Sequence, residues 1–383
     1  MIATLAKEWT AKGERVSLFV PGSWSDDSWL EESHGQVTVY KKRLRIPSYP
    51  HRSLRGFVGG VLEFPLTLLQ LRKFCKKEAV DLIHLHTPRD YQVYFRLLRW
   101  FGGPPMVLTF HGTDALIYAD GSHPGMGLIS WIVKGMDHLT SVSRDYAQRL
   151  AHCPNGRETI HYIPNGIDLT PPARVEPTAA TQALFNLLPE KFFIIVGWIE
   201  PPKGCDLAVR AWALLQRKNP DIHLLFIGDQ AYKKPGEPFW PGYLESIKAL
   251  VAELGCQQQV HFAGTQSPEV VRDLMERAYG LIFPSLQEGL PYVLLEAGAV
   301  AMPVVCNDIP AFTEIIDPGK NGLIAANGDE ESLANAVESL VLKPEWAKEL
   351  GQGLLQTVKE KYSSQIMAQG YLDLFNSVVE EGE

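Results

Sequence analysis

The chain has 383 residues, 45% hydrophobic and 21% charged, the composition of a soluble globular protein long enough for two or three domains. No apolar run approaches ~20 residues, which excludes a transmembrane helix; Lys7, Glu8, Lys12, Glu14 and Arg15 interrupt any signal-peptide pattern, and five scattered cysteines without a CxxC read as reduced thiols of a cytoplasmic protein. The net charge of −8 divides into +5 for residues 1–165 (20 basic, 15 acidic) and −13 for the rest (16 basic, 29 acidic), so either the first half meets an anionic partner or its charges are solvated helix faces; no nucleic-acid-binding motif accompanies them.

In chain order, short β-branched or apolar runs alternate with longer helical patterns. "RVSLFVPG", "QVTVYKKR", "VDLIHLH", "MVLTFHG", "HLTSVS" and "IHYIPNG" predict the strands of a first half. "IPNGIDLTPPARVEPTAAT" is the expected boundary, with a turn at Asn165-Gly166 and, after it, three prolines (Pro171, Pro172 and Pro177) marking a linker. "FFIIVGWI", "IHLLFIGD", "QVHFAG", "GLIFPS" and "MPVVCND" predict the strands of a second half, between amphipathic stretches such as "DLAVRAWALLQRKN" and "SLANAVESLVL". This alternation implies two doubly wound α/β domains around a cleft. Neither GxGxxG after a strand nor GxxxxGK[ST] occurs, and His84 and His86 alternate on a strand without an evident third metal ligand.

"PSLQEGLPYVLLEAGA" (284–299) places Glu288 and Glu296 among apolar neighbours, where an unpartnered carboxylate costs several kcal/mol. "LIFPS" reads as a buried strand, and Pro291 suits the first position of a helix running to about Ala301. Glu288 then lies in the strand-to-helix loop and Glu296 on the helix, at the carboxyl end of a parallel sheet where open α/β folds bind ligands.

"EGLPYVLLEAGA" resembles the E-x7-E segment of the family 4 retaining glycosyltransferases, whose fold is GT-B: two Rossmann-like domains facing a central cleft. "DLIHLHTP", "LTFHGTD", "LTSVSRDYAQRL", "IPNGID", "VGWIEPPKGCDLAVRA", "LLFIGD" and "VHFAGTQSPEVV" follow the family's order over nearly the whole chain. The resemblance implies an acceptor-side domain over 1–163, a nucleotide-sugar-binding domain over 164–360, and a terminal helix over 361–383 that returns to the first domain.

It also implies roles. Glu296 is expected to hold the ribose hydroxyls of a nucleotide-sugar donor and Glu288 the donor sugar, the alternative for each being a surface or salt-bridged glutamate. Gly289, Leu290 and Pro291 supply loop backbone for the diphosphate. Lys203 is expected on the donor diphosphate, where a fixed cation stabilises the leaving group; a solvated lysine is its alternative. After Gly197 the family usually has arginine, whereas this chain has Trp198, which weakens the phosphate clamp unless Lys233 or Lys234 replaces the cation. His111 is expected near the anomeric carbon or else as a structural histidine, with Asp114 more a helix cap than its orienting partner. No metal and no cofactor beyond the donor substrate are implied. The expected function is a retaining transfer from a nucleotide diphosphate sugar to an acceptor hydroxyl of a glycan or lipid-linked saccharide. The alternatives are a sugar-nucleotide epimerase of the same fold and a non-catalytic sugar-nucleotide binder. An anionic membrane surface, met by "KKRLR" (41–45) and "RKFCKK" (72–77), is the expected further partner. Family members begin with a strand and a glycine-rich loop ahead of the helix at residue 1, so either a further segment of about 15–25 residues is expected upstream or the chain is a degraded remnant.

Overall fold

This computed structural model describes residues 1–21, 30–35, 37–42, 44, 46, 54–122, 125–154, 156, 157, 159–170, 182, 184–186, 188, 189, 191–234 and 236–381. The chain divides into a unit made of Met1–Gly166 with Ser364–Glu383 and a second unit, Ile167–Ser363.

In the second unit six apolar runs form one parallel sheet, ordered Val260–Phe262, His223–Ile227, Phe192–Val196, Gly280–Phe283, Val304–Asn307 and Leu323–Ala325. Gly280–Phe283 and Val304–Asn307 are buried along their whole length, as strands covered on both faces by helices must be. Counted from its first strand the order is 3-2-1-4-5-6, the doubly wound arrangement. Its chain reversal leaves a crevice beyond the carboxyl ends of Phe192–Val196 and Gly280–Phe283. Helix Cys205–Gln216 buries Leu207, Val209 and Trp212 in one core with Leu333, Val337 and Leu340 of helix Glu330–Leu342. The latter starts at Asp329, whose carboxylate accepts the N–H groups of Glu331 and Ser332, a cap legible in "NGDEES".

The first unit holds a parallel sheet ordered Ile83–His86, Met106–Phe110, His138–Ser141, His161–Tyr162, and a separate sheet ordered Ser17–Pro21, Val37–Lys42, Leu30–His34. One core lies against helices Leu54–Lys77, Val93–Trp100 and Met126–Val133. In another, Leu5 and Trp9 of helix Ile2–Ala11 pack with Met367, Tyr371 and Leu374 of helix Ser364–Glu380 over Val107 and Ile163. Trp9 Nε1 donates to the Ala368 carbonyl (3.0 Å), and Ser364 Oγ donates to Glu8 (2.6 Å).

Several expectations need correction. Pro291 is the residue before the helix rather than its first, and the helix spans Tyr292–Ala299, stopping short of Ala301, whose φ is +55°. Asn165-Gly166 forms no turn: Asn165 is buried, and the Gly166 N–H meets the Met367 sulfur at 3.1 Å. The prolines of the linker lie outside the described residues. "KKRLR" is not an open basic patch, because Lys41 pairs with Glu32 at 2.6 Å and Lys42 is 4% exposed; Arg43 and Arg45 lie outside the described residues. Among the described residues no helix is long and apolar enough to cross a membrane.

Candidate active site

The crevice of the second unit is built by two loops that follow adjacent strands. After Phe192–Val196 the chain passes Gly197 and Trp198 into the single turn Pro201–Lys203. After Gly280–Phe283 it runs through residues 284–291 into helix Tyr292–Ala299. The Leu286 N–H donates to the Pro202 carbonyl (2.8 Å), joining the loops. Gly204 permits that approach: its φ is +63°, and a Cβ there would strike the Pro284 carbonyl oxygen. Asn307 anchors the second loop from below, donating to the Pro284 carbonyl at 2.7 Å, while Leu290 is buried.

This scaffold brings Lys203 and Glu288 together, Nζ to Oε1, at 2.7 Å, with both side chains mostly shielded from solvent. The alternative that Glu288 is salt-bridged is thus realised, and with Lys203, a residue itself expected on the donor diphosphate. Gly197 and Trp198 lie at the strand end beside them. The Gly197 N–H bonds the Ile227 carbonyl at 3.0 Å, and open space adjoins its Cα. Trp198 is half exposed. Lys233, offered as a relocated cation, lies over the Phe239 ring (5.9 Å), and the Lys234 side chain is outside the described residues.

Glu296 stands apart from this pair. It is flanked by the buried Leu295 and Ala297, and no described residue hydrogen-bonds or pairs with its carboxylate. Burial raises its proton affinity above the ordinary carboxylate range. Ser285 Oγ and Asn307 Oδ1, unlike the partly buried Glu296, are fully buried without a partner among the described residues. Unmet polar atoms of this kind, at a crevice rather than in a core, are what a polar ligand satisfies. Sequence reading missed Ser285 and Asn307. It also missed Gly228, which ends the neighbouring strand; a Cβ there would collide with the Gly197 carbonyl oxygen. The signal was present in "FPS", "CND" and "FIGD", small or amide residues at or within two residues of the ends of buried strands.

In the first unit His111 follows strand Met106–Phe110. Asp114 accepts the backbone N–H groups of His111 (3.1 Å) and Gly112 (2.6 Å), which fixes the turn into helix Thr113–Ala119 from within its first turn; the residue before the helix is Gly112, and no side chain caps it. The unforeseen partner is His86: its Nδ1 lies 2.9 Å from His111 Nε2, the rings stacked at 5.2 Å. Strand register explains the contact. His86 pairs with Thr109 on the neighbouring parallel strand, so His111 is its diagonal neighbour on the same face. Burial keeps both rings neutral: His86 is lowered to about 3, first by desolvation and then by His111, and His111 is lowered by desolvation against an opposing pull from Asp114. One ring therefore donates and the other accepts. His84 Nε2 meets Thr109 Oγ1 at 2.7 Å, behind them. Among the described residues no three His, Cys, Asp or Glu side chains are grouped to hold a metal ion.

Residues 181–354 match the family model of glycosyl transferases group 1, and residues 1–171 match that of glycosyltransferase family 4. The chain is a family 4 glycosyltransferase. It is 28% identical to the alpha-maltose-1-phosphate synthase of Mycolicibacterium smegmatis, over 86% of this chain and 87% of that protein. Its fold, GT-B, is that of the sucrose-phosphate synthase of Thermosynechococcus elongatus, with a TM-score of 0.75 and 20% identity over 99% of this chain and 93% of the other. HepE of Anabaena, solved with UDP and glucose, is also similar, with a TM-score of 0.69 and 16% identity over 98% and 96% of the two chains. In this family 4 glycosyltransferase the crevice loops carry the Lys203–Glu288 pair, and helix Tyr292–Ala299 carries Glu296, which has no partner among the described residues.

Proposed function

We propose that this glycosyltransferase takes its sugar from a nucleotide diphosphate donor and passes it, with retention and without a metal ion, to an acceptor hydroxyl of a glycan or lipid-linked saccharide. The observation that carries the reading is Glu296, a largely buried carboxylate with no partner among the described residues at the switch point of a doubly wound sheet. Two vicinal ribose hydroxyls donating to its oxygens compensate that burial. The HepE complex with UDP and glucose supports the same class of donor.

The chemistry follows from the groups available. The acceptor oxygen attacks the anomeric carbon on the face from which the diphosphate departs, and a departing phosphate oxygen takes the acceptor proton. Lys203 offsets the negative charge that grows on the diphosphate as the glycosidic bond breaks. Glu288, held against Lys203, keeps its second oxygen for the sugar hydroxyls. His111, neutral and fixed by His86, contributes a hydrogen bond rather than a charge. The enzyme acts in the cytoplasm, at the periphery of an anionic membrane.

Thermal stabilisation by a panel of UDP-, GDP- and ADP-sugars, followed by transfer assays with the stabilising donor, tests this reading. One donor class should raise the melting temperature, transfer should persist in EDTA, and the product should keep the donor's anomeric configuration. Stabilisation without transfer or hydrolysis would leave a sugar-nucleotide binder, a reading the exposed Trp198 in place of a cation favours. No stabilisation by any nucleotide-sugar would remove both.

A further inference from the structure

Helix Leu54–Lys77 buries one face in the core of the first unit, through Leu71 and Cys75. Its opposite face is unusual. Between residues 61 and 77 every exposed position is apolar, basic or glutamine, and none is acidic. The two kinds are segregated along the axis: Val61, Leu62, Leu66 and Leu69 are 45%, 65%, 60% and 56% exposed, and Arg72, Lys73 and Lys76 follow in the next two turns. At 100° per residue Leu62, Leu66, Leu69, Lys73 and Lys76 fall on one stripe. Those three cations form no ion pair with described residues. Arg72 and Lys76 line a pocket together with Gly102 and Pro104, and immediately before Gly102 stand Trp100 and Phe101, 68% and 55% exposed with parallel rings 6.4 Å apart.

We propose that this face, the outer side of helix Leu54–Lys77 with the Trp100–Phe101 pair beside its basic end, docks the enzyme on an anionic lipid bilayer by inserting its leucines among the acyl chains. This deepens the membrane-surface part of the reading above and does not depend on which sugar is transferred. Apolar residues buried at the headgroup boundary, cations at headgroup level and an indole at the interface are the elements of an interfacial helix. Charge selects the bilayer over a second copy of the chain, because two copies meeting through this helix face would oppose Arg72, Lys73 and Lys76 with no exposed acid between residues 61 and 77; the exposed Asp81, which lines the pocket with Arg72 and Lys76, leaves the face net positive. The attachment differs in kind from a purely electrostatic one: part of it is apolar and persists when charges are screened.

Flotation of the full chain with vesicles tests this. Vesicles of phosphatidylcholine containing about one-third phosphatidylglycerol should carry the protein, and pure phosphatidylcholine should carry much less. Raising the salt from about 0.1 to 0.5 M should weaken the binding without abolishing it. Arg72→Gln/Lys73→Gln/Lys76→Gln should lower partitioning roughly a hundredfold, since each cation near an anionic surface counts for about a factor of five in partition. Leu62→Gln/Leu66→Gln/Leu69→Gln should remove the salt-resistant fraction. All six positions are exposed, so both variants are expected to keep the wild-type melting temperature and its shift by the donor, which separates loss of docking from loss of the fold or of donor binding. Equal binding to neutral and anionic vesicles, or no binding, overturns the proposal. So does concentration-dependent dimerisation in sedimentation that the leucine variant abolishes, which would assign the face to a second copy.

Discussion

A carboxylate with no protein partner in a largely buried position lowers the stability of the free protein, and at Glu296 the sign is open to measurement. Burial raises its proton affinity, so in the interval just above the ordinary carboxylate range the folded protein binds a proton the unfolded chain has released. The contribution therefore favours folding less as pH rises through that interval. Glu296→Gln should raise the melting temperature of the ligand-free protein at neutral pH while weakening donor binding by about 2–4 kcal/mol. Scanning fluorimetry and calorimetric titration read the two effects, and loss of both would place the carboxylate in solvent. The neighbouring pair behaves differently. Glu288→Gln removes a negative charge next to the diphosphate position, so UDP or GDP alone should bind several-fold more tightly while turnover falls by one to three orders of magnitude. Looser nucleotide binding in that variant would mean that Glu288 orients Lys203 more than it neutralises it. Both glutamates were legible in the sequence because carboxylates among leucines require an explanation. Their separation into one paired and one unpaired group was not, since Lys203 and Glu288 lie 85 residues apart and meet only through strand order.

At the level of the elements, the two stacked histidines depend on strand register. His86→Phe keeps a ring of similar size but removes the nitrogen that bonds His111. It should lower kcat by about one order of magnitude with little change in the donor's KM, and His86→Gln, which restores a donor and an acceptor, should recover part of that loss. Equal kinetics for Phe and Gln would make the second ring a spacer. The fully buried strands were the most legible part of the fold, because "FFIIV" and "GLIF" are continuous apolar runs. Leu30–His34, read as "LEESH", carries polar and charged residues and belongs to the outer strand of a three-stranded sheet, so nothing in its pattern announced a strand. Leu323–Ala325 is three residues long and too short to show a period. The helix after Glu288 was placed within two residues at its ends. The contact between His86 and His111, 25 residues apart, requires knowing that their strands are parallel neighbours.

For the molecule as a whole, the buried histidines of the first unit predict a direction for acid stability. His84, His86 and His111 are all depressed, desolvation being the first cause of each. Below the ordinary histidine value of about 6.5 the unfolded chain takes up protons that the folded unit refuses, so stability present above that pH is lost on acidification, for His86 down to about 3. Urea unfolding between those limits should show stability rising with pH, with a shallower slope in the His86→Phe variant; a flat profile would mean that the rings are solvated. The helix Ser364–Glu380 has a separate consequence, concerning the order in which the protein becomes itself during synthesis. Its Tyr371 and Met367 complete the core around Leu5 and Trp9, and Trp9 bonds a carbonyl 359 residues later. The segment Ile167–Ser363 is contiguous and leaves the ribosome before that helix does. The half made first is therefore expected to finish folding last, after the half that follows it, against the usual amino-to-carboxyl order. On ribosomes stalled with an unstructured linker after residue 363, long enough to clear the exit tunnel, protease should find the later half resistant and the earlier half open; early protection of Met1–Gly166 would show that its core closes without the returning helix.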